Sequence, residues 1–599
     1  MLSFLRLCVL LLSLSGYVIL ITKRYRIQVA FAPMLFCAWS GCFLFAAGIL
    51  NCLPVAVCLL FGGGLILLVL SVKNKYFLTK QESMAYVCFL AILVYFFILT
   101  HGSHFIAYDN FSHWATVVKD MLTENRMPNF EDPIIRFQSY PLGSSLFIYF
   151  ICKIIGTADS CFLWAQLLML ASFLFCTAAF ITKKNLYSIA IVLLYSIWAL
   201  VVNNRIYELR VDTLLPLAGV AAFAFIYHYR KEPQKAAFGS IGIFVFIIQI
   251  KNSGIFFYAV CAICLTILAW DYCKKHTVRF LTSSLFIPLA SLYLWKRHVA
   301  FAFSAGMESK HSMDLGHFKQ EVSQKSTNDM LKIGLHILKQ FTSLKKRGTT
   351  PGAGIETNQG LILLILLILF LAAMCIICRI FLHDRQAFHS FVRIAILDIG
   401  CLAIYTLSVY AMYLFSMPLA EASYLASFDR YMLSAYIFVY GVTIVFTISC
   451  ISALQKTNTS VAYMIGIAAS LLFVVPVNLN HRPLATLVQK PNYADSRRAI
   501  WNQMLEQGGV QAGDSCFIYC NDSAMNKRYL FYLTRYELWT ADVISIGRKD
   551  FKEEIQNIND YDYFIIWDSD ELSDRYLTEH HLSQYVGKDR ACIKLSLYR

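Results

Sequence analysis

Charge is scarce in this sequence. Of its 599 residues only 15% are Asp, Glu, Lys or Arg, and 58% are hydrophobic, with a mean hydropathy of +0.57. A soluble protein of this size carries about 25% charged residues, so a soluble globular chain is excluded. No Gly-rich phosphate loop appears, which argues against a nucleotide pocket. The N-terminal apolar run (Met1–Leu20) has one basic residue, Arg6, and no small-x-small cleavage site, so it reads as a retained span rather than a leader. A secretory disulfide framework is also lacking. Most of the 19 cysteines lie in apolar runs, as Cys8, Cys37, Cys42 and Cys176 do, where free thiols act as small hydrophobes. Cys516 and Cys520 share a predicted strand at i, i+4, too far apart to bridge. Acids are nearly absent from the middle of the apolar runs; Asp398 is the clearest exception.

What is present is a succession of about fourteen apolar segments, near 2–22, 29–49, 52–72, 83–100, 160–182, 187–203, 213–229, 236–250, 254–270, 279–296, 359–380, 391–415, 431–453 and 460–478. These predict a polytopic α-helical membrane protein. The net charge of +15 lies outside the C-terminal region, since residues 480–599 hold 15 basic and 17 acidic side chains. Much of the excess sits in short loops (Lys23, Arg24 and Arg26; Lys73, Lys75 and Lys80; Arg230, Lys231 and Lys235), which points to membrane topology and not to nucleic acid. All these loops share one side if residues 141–156 lie flat at the interface, and that side is then cytoplasmic. The segments 101–158, 204–212, 251–253, 297–358 and 416–430, with the C-terminal region, are then extracytoplasmic. Four regions follow: N-terminal spans over 1–100, an outer loop over 101–158, a transmembrane core over 159–480 with a long loop at 297–358, and a small domain over 481–599. In that domain Cys516–Cys520, Ala541–Ile546, Tyr563–Trp567 and Cys592–Leu597 read as strands alternating with helices, an α/β module.

Two amphipathic helices are expected to lie in the headgroup plane of the outer face, the alternative being packing against neighbouring spans. One holds Trp114, Val117, Val118, Met121 and Leu122, with Lys119, Asp120 and Glu124 opposite and Ser112 as N-cap. The other, over 328–344, presents Met330, Ile337, Leu338, Phe341 and Leu344.

Polar residues that suit chemistry cluster in the outer segments. Asp109, beside Asn110, Ser112 and His113, fits a carboxylate that takes a proton from an attacking hydroxyl, or a loop acid that caps the following helix. Asn203–Asp212 carries Arg205, Arg210 and Asp212 where two spans meet the surface; these either line a polar cavity or snorkel. Lys251-Asn-Ser-Gly254 places a lysine in a tight turn, suited to phosphate or simply exposed. Lys310 and His311 lie in the long loop. Arg430, beside Asp429, suits phosphate oxygens or a pairing with Asp429 or Glu421.

Tyr108-Asp-Asn-Phe-Ser-His-Trp114, followed by Tyr140-Pro-Leu-Gly143, resembles the first outer loop of GT-C-fold membrane glycosyltransferases, relatives of the protein O-mannosyltransferases and aminoarabinose transferases. Asp212, Lys251-Asn-Ser-Gly254 and Arg430-Tyr431 extend the resemblance, which spans about 83–480 in architecture. It implies a polyprenyl-phosphate-linked sugar as donor, reaction on the outer face, and Asp109 as catalytic base. The chain departs from the family in having additional spans ahead of that loop. Its Tyr-Asp-Asn also lacks an adjacent carboxylate, which leaves a divalent cation requirement open.

The expected function is therefore sugar transfer to a cell-envelope glycan, lipid or protein acceptor in a bacterial plasma membrane. Asp109 is the expected base. The expected substrate-binding residues are His113, Tyr140, Arg205, Arg210, Asp212, Lys251, Lys310, His311, Asp429 and Arg430. A flippase for a lipid-linked glycan and a non-catalytic scaffold of wall-polymer assembly are the alternatives. The first needs a charged path through the midplane, the second no cavity at Asp109.

Overall fold

The computed structural model describes residues 2–181, 185–270, 272, 275–303, 315–348, 355–381, 385–454, 458–479, 484–521 and 524–597. Among them, eleven helices are long and apolar enough to cross a membrane: Phe4–Arg24, Val29–Ile49, Leu53–Lys73, Lys80–Thr100, Asp159–Phe180, Pro233–Ile250, Thr277–Ala302, Gln359–Ile380, Phe388–Phe415, Phe428–Leu454 and Thr459–Val477. Three further segments of the predicted fourteen are apolar helices of 15 to 17 residues, Leu186–Val201, Leu214–His228 and Gly254–Trp270. Their starts follow local chemistry. Thr79 and Glu82 form a capping box ahead of Lys80, and Asn358 caps Gln359–Ile376 through the Leu361 amide. The first and third spans touch at small residues: a Cβ at Gly16 would lie 2.0 Å from the Gly64 carbonyl oxygen, and Ser13 Oγ donates to the Phe61 carbonyl at 2.8 Å. The protein is a multi-pass helical membrane protein.

Residues 141–156 are largely covered by protein. Gly143–Ile155 is a 13-residue helix whose side chains are almost all buried among its neighbours. On the first amphipathic helix protein covers the apolar stripe, as in packing against neighbouring elements. Asn110–Trp114 forms a π-helical turn, Ala115–Glu124 an α-helix, and Trp114, Val117, Val118 and Met121 are buried in protein. Asp120, expected on the polar face, is buried too. Ser112 caps nothing, because it lies inside the turn. The second amphipathic helix, Thr327–Gln340, keeps a surface position: Ile333 and Ile337 are buried while Leu331, Leu335 and Leu338 are exposed. It begins at a Ser326–Asp329 capping box.

After it, β1 (Lys345–Arg347) pairs antiparallel with β2 (Ile355–Thr357). The C-terminal domain has a four-stranded sheet of β3 (Cys516–Cys520), β4 (Val543–Ile546), β5 (Tyr563–Asp568) and β6 (Ala591–Lys594), in the order β4-β3-β5-β6. The first three strands are parallel and β6 is antiparallel to β5. Alternation along β3 sends Phe517 and Tyr519 into a core of the domain's own. Cys516, Ile518 and Cys520 point the other way, into a core continuous with the rest of the chain. The helix Ala524–Leu538 packs on that second face and reaches the Asn110–Trp114 turn. Two Cys-x-x-Cys spacings, Cys261/Cys264 and Cys375/Cys378, fall inside apolar helical segments and are free thiols.

Candidate functional site

Asp109 precedes the π-helical turn, and its side chain makes no capping hydrogen bond. The turn is pinned from behind. Asn110 Oδ1 accepts from the Leu209 amide at 3.0 Å, Thr116 Oγ1 donates to the Phe111 carbonyl at 2.6 Å, and Phe111 is buried. The carboxylate therefore faces the loop that carries Arg210 and the start of the Phe428–Leu454 helix. Arg430 Nη1 donates to Asp109 Oδ2 at 2.8 Å, and Arg210 Nη1 lies 3.5 Å from the same oxygen. Oδ1 has no hydrogen-bond partner among the described residues.

The network continues through Arg430, whose Nε lies 3.6 Å from Asp212 Oδ2. Lys251 Nζ donates to Asp212 Oδ1 at 2.8 Å, and the Asp212 carbonyl accepts from Ser434 Oγ at 2.7 Å. Glu208 holds the other side of Arg210. Three cations are thus interleaved with three carboxylates drawn from four separate stretches of chain. Donor capacity is left over. Arg430 Nε is buried without a hydrogen bond, and an ammonium such as Lys251 has three donors. The pairing of Arg430 with Asp109 and Asp212 replaces the two partners weighed from sequence. Asp429 is engaged by Lys346 of β1, and Glu421 lies 3.4 Å from Arg528 of the C-terminal domain.

Aromatic rings wall the cluster. Tyr431 sits under both cations, 5.5 Å from Lys251 Nζ and 5.3 Å from the Arg430 guanidinium carbon. Tyr140 is near enough to feel Tyr431, Arg430, Asp109 and Asp212; burial above all, and then Tyr431, pushes its hydroxyl well up. Gly143 in the Tyr-Pro-Leu-Gly motif has a steric reason: a Cβ there would lie 2.7 Å from the Gln249 carbonyl oxygen, at the end of the helix that presents Lys251. His113 lies behind this wall, edge-on to Trp114, Tyr140 and Phe137 at 4.6, 5.0 and 5.7 Å. Burial, and then the Lys251 charge, push its imidazole down to about 3, so it is neutral at physiological pH. Its buried Nε2 has no partner among the described residues.

Six of the expected residues therefore converge: Asp109, Tyr140, Arg210, Asp212, Lys251 and Arg430. The side chain of Arg205 lies outside the described residues, as do Lys310 and His311. Among the described residues no three of His, Cys, Asp and Glu gather to hold a metal ion. Asp109 and Asp212 are each engaged by cations, a donor set that suits an anion better than a divalent cation.

Sequence reasoning gave no role to Tyr431 and Glu208, although both adjoin residues it singled out. It also missed the contribution of the C-terminal domain. Tyr529 donates through its hydroxyl to the Ile106 carbonyl at 3.0 Å and packs edge-on against Phe111 at 5.8 Å. Tyr532 packs edge-on against Tyr108 at 5.5 Å, and Lys119 Nζ donates to the Tyr536 carbonyl at 2.5 Å. Arg498 joins the domain, the segment ahead of Asp109 and a span through bonds to Glu537 at 2.5 Å, the Phe105 carbonyl at 2.9 Å and Asp159 at 2.5 Å. No local pattern signals contacts across some 400 residues of chain.

No protein-family model and no curated protein matches the chain. Two solved structures do: ArnT from Cupriavidus metallidurans bound to undecaprenyl phosphate, and the same protein in the apo state. The first is 11% identical, covers 82% of this chain and 94% of its own, and has a TM-score of 0.35. The second is 10% identical, covers 84% and 95%, and has a TM-score of 0.34.

Proposed function

We propose that this chain is a membrane glycosyltransferase of the GT-C type, moving a sugar from a polyprenyl-phosphate-linked donor to a hydroxyl on an extracytoplasmic acceptor. One observation carries the reading. Asp109 is held through one oxygen by Arg430 and Arg210, its other oxygen has no partner, and unused cation donors lie beside it. In this reading the donor phosphate takes hydrogen bonds from Arg430, Lys251 and Arg210. The acceptor hydroxyl donates to Asp109 Oδ1 and attacks the anomeric carbon from the side opposite the phosphate. The bond from that carbon to the phosphate oxygen breaks, the oxygen leaves with the electron pair, and the hydroxyl proton passes to Asp109. The configuration inverts. The cations stabilise the charge that grows on the departing phosphate, the larger electrostatic contribution to rate. Neutral His113 orients Tyr140 from behind.

The test is transfer from labelled polyprenyl-phosphate sugars in proteoliposomes. Asp109→Asn keeps an acceptor oxygen for Arg430 but is not a base, so the rate is expected to fall by about 10³-fold. Full transfer by that variant would remove Asp109 from the mechanism.

A carrier for lipid-linked glycan is favoured by one feature, Asp398. It is buried inside a span, accepts from Thr443 Oγ1 at 2.6 Å, and leaves Oδ1 without a partner among the described residues. Donor-dependent lipid movement in vesicles without any sugar transfer would select that reading.

A further inference from the structure

Two arginines are buried among the described residues, Arg498 at 5% exposure and Arg535 at 4%, and both belong to the C-terminal domain. Carboxylates answer Arg498. None lies within ion-pair distance of Arg535 among the described residues. Its Nη1 donates to the Ala541 carbonyl at 3.0 Å and its Nη2 to the Pro133 carbonyl at 2.6 Å, while the buried Nε has no partner. A second arginine stands near it. Arg136, half-buried in the outer loop three residues past Pro133, has no hydrogen bond or ion pair among the described residues. Burial, and then the Arg136 charge, push the Arg535 guanidinium down to about 10; the acid Asp542 counts for less than Arg136 does.

A charge that is buried unpaired, with a like charge beside it, opposes folding. Such an arrangement persists where something supplies the missing counter-charge. The guanidinium geometry suits phosphate or carboxylate oxygens. The place is also informative. Phe137, next to Arg136, packs on Tyr140 at 5.4 Å and on Tyr532 at 6.5 Å. Tyr532 in turn packs on Tyr108, the neighbour of Asp109.

We propose that Arg136 and Arg535 form an anion subsite at the seam between the outer loop and the C-terminal domain, and that it takes a phosphate or carboxylate borne by the acceptor. The identification of the ligand as acceptor rests on the glycosyltransferase reading; the anion site itself does not. Binding of the anion at the seam would hold an acceptor hydroxyl toward Asp109, so the C-terminal domain selects acidic acceptors.

Binding of inorganic phosphate and of methyl glucuronide to the full chain in neutral detergent tests this, read by calorimetry with the wild type, Arg136→Gln, Arg535→Gln and Arg430→Gln. Arg136→Gln removes a half-buried side chain that holds nothing else in place, so it serves even if Arg535→Gln fails to fold. Loss of one charge-assisted contact is expected to weaken seam binding by about tenfold in Arg136→Gln, while Arg430→Gln leaves it intact. Wild-type affinity in Arg136→Gln, or loss of all anion binding in Arg430→Gln, overturns the proposal. Competition by phosphatidylglycerol in nanodiscs, with none from phosphatidylcholine, overturns the acceptor assignment in favour of bulk lipid. Because binding requires no transfer, an Asp109→Asn chain that transfers normally yet binds anions through Arg136 would sink the catalytic reading and leave the subsite standing.

Discussion

Arg498 and Arg535 are buried against the same 101–158 segment and differ in what surrounds their charge. Arg498 donates to two carboxylates and a carbonyl, with the rings of Phe105, Phe111 and Tyr536 around it. Arg535 donates to carbonyls alone and has Arg136 for a neighbour. The first arrangement is complete within the chain and acts as a latch between the domain, the 101–158 loop and a membrane span. The second is complete only with a group from outside. The cluster at Asp109 lies between these extremes: each of its charges is answered, yet donors on Arg430 and an oxygen on Asp109 remain free for substrate.

The sharpest way to break this comparison is to remove the latch. Arg498→Met strips the partner from Asp159 and Glu537, whose side chains are only 12% and 19% exposed. Removing one partner of a buried pair leaves an uncompensated charge, so a loss of about 3 kcal/mol is expected, seen as a lower apparent Tm of the purified chain. Arg498→Lys keeps the charge but cannot reach both carboxylates with one planar fork, and should recover only part of that loss. A Tm unchanged in Arg498→Met would mean that the domain is held by its aromatic contacts instead.

How far the sequence foretells these features depends on how local their causes are. Apolar runs mark the spans because hydropathy is a property of the segment, and the charged motifs at span ends (Asp109, Asp212, Lys251, Arg430) stand out against that background. What the pattern does not encode is the identity of the covering surface. Trp114, Val117, Val118 and Met121 form an apolar stripe that suits lipid or protein equally, and protein covers it. The same ambiguity holds for Gly143–Ile155. The hydroxyl of Ser112 suits an N-cap only if an α-helix starts there, and the π-helical turn moves that start past it. Arg498 and Arg535 carry no local signal, because their partners at 105, 133 and 159 come from the other end of the chain.

A buried acid sharpens the comparison with opposite sign. Asp120 on the Ala115–Glu124 helix is 2% exposed, and its Oδ2 has no partner among the described residues, because nearby Arg126 is engaged by Asp132 at 2.6 Å. Burial, and then the Asp132 charge, push the Asp120 carboxyl up to about 8. The folded state then keeps a proton that the unfolded chain releases near pH 4, so stability falls as pH rises from about 4 to about 8. Asp120→Asn removes that dependence. It is expected to stabilise the chain at pH 7.5 and to make no difference near pH 4. Equal shifts in Tm at both pH values would show that Asp120 is not protonated in the folded chain.

The smallest expected effect is the most discriminating. Arg535→Met loses two hydrogen bonds to carbonyls and the contact of the guanidinium with Phe531 at 5.1 Å. It also removes a desolvated charge and its repulsion with Arg136. The two sides nearly cancel, so the net change in stability is expected to stay within about 1 kcal/mol, against a loss several times larger for Arg498→Met. The variants should separate further when anion is added. Phosphate at about 100 times its dissociation constant for the seam raises stability by about 2.7 kcal/mol wherever that site is intact. That increment should persist in Arg430→Gln, fall to about 1.4 kcal/mol in Arg136→Gln, where binding is about tenfold weaker, and vanish in Arg535→Met. A fall in Tm for Arg535→Met as large as that for Arg498→Met would make both arginines latches, and the distinction between a charge answered within the chain and one left for a ligand would fail at this seam.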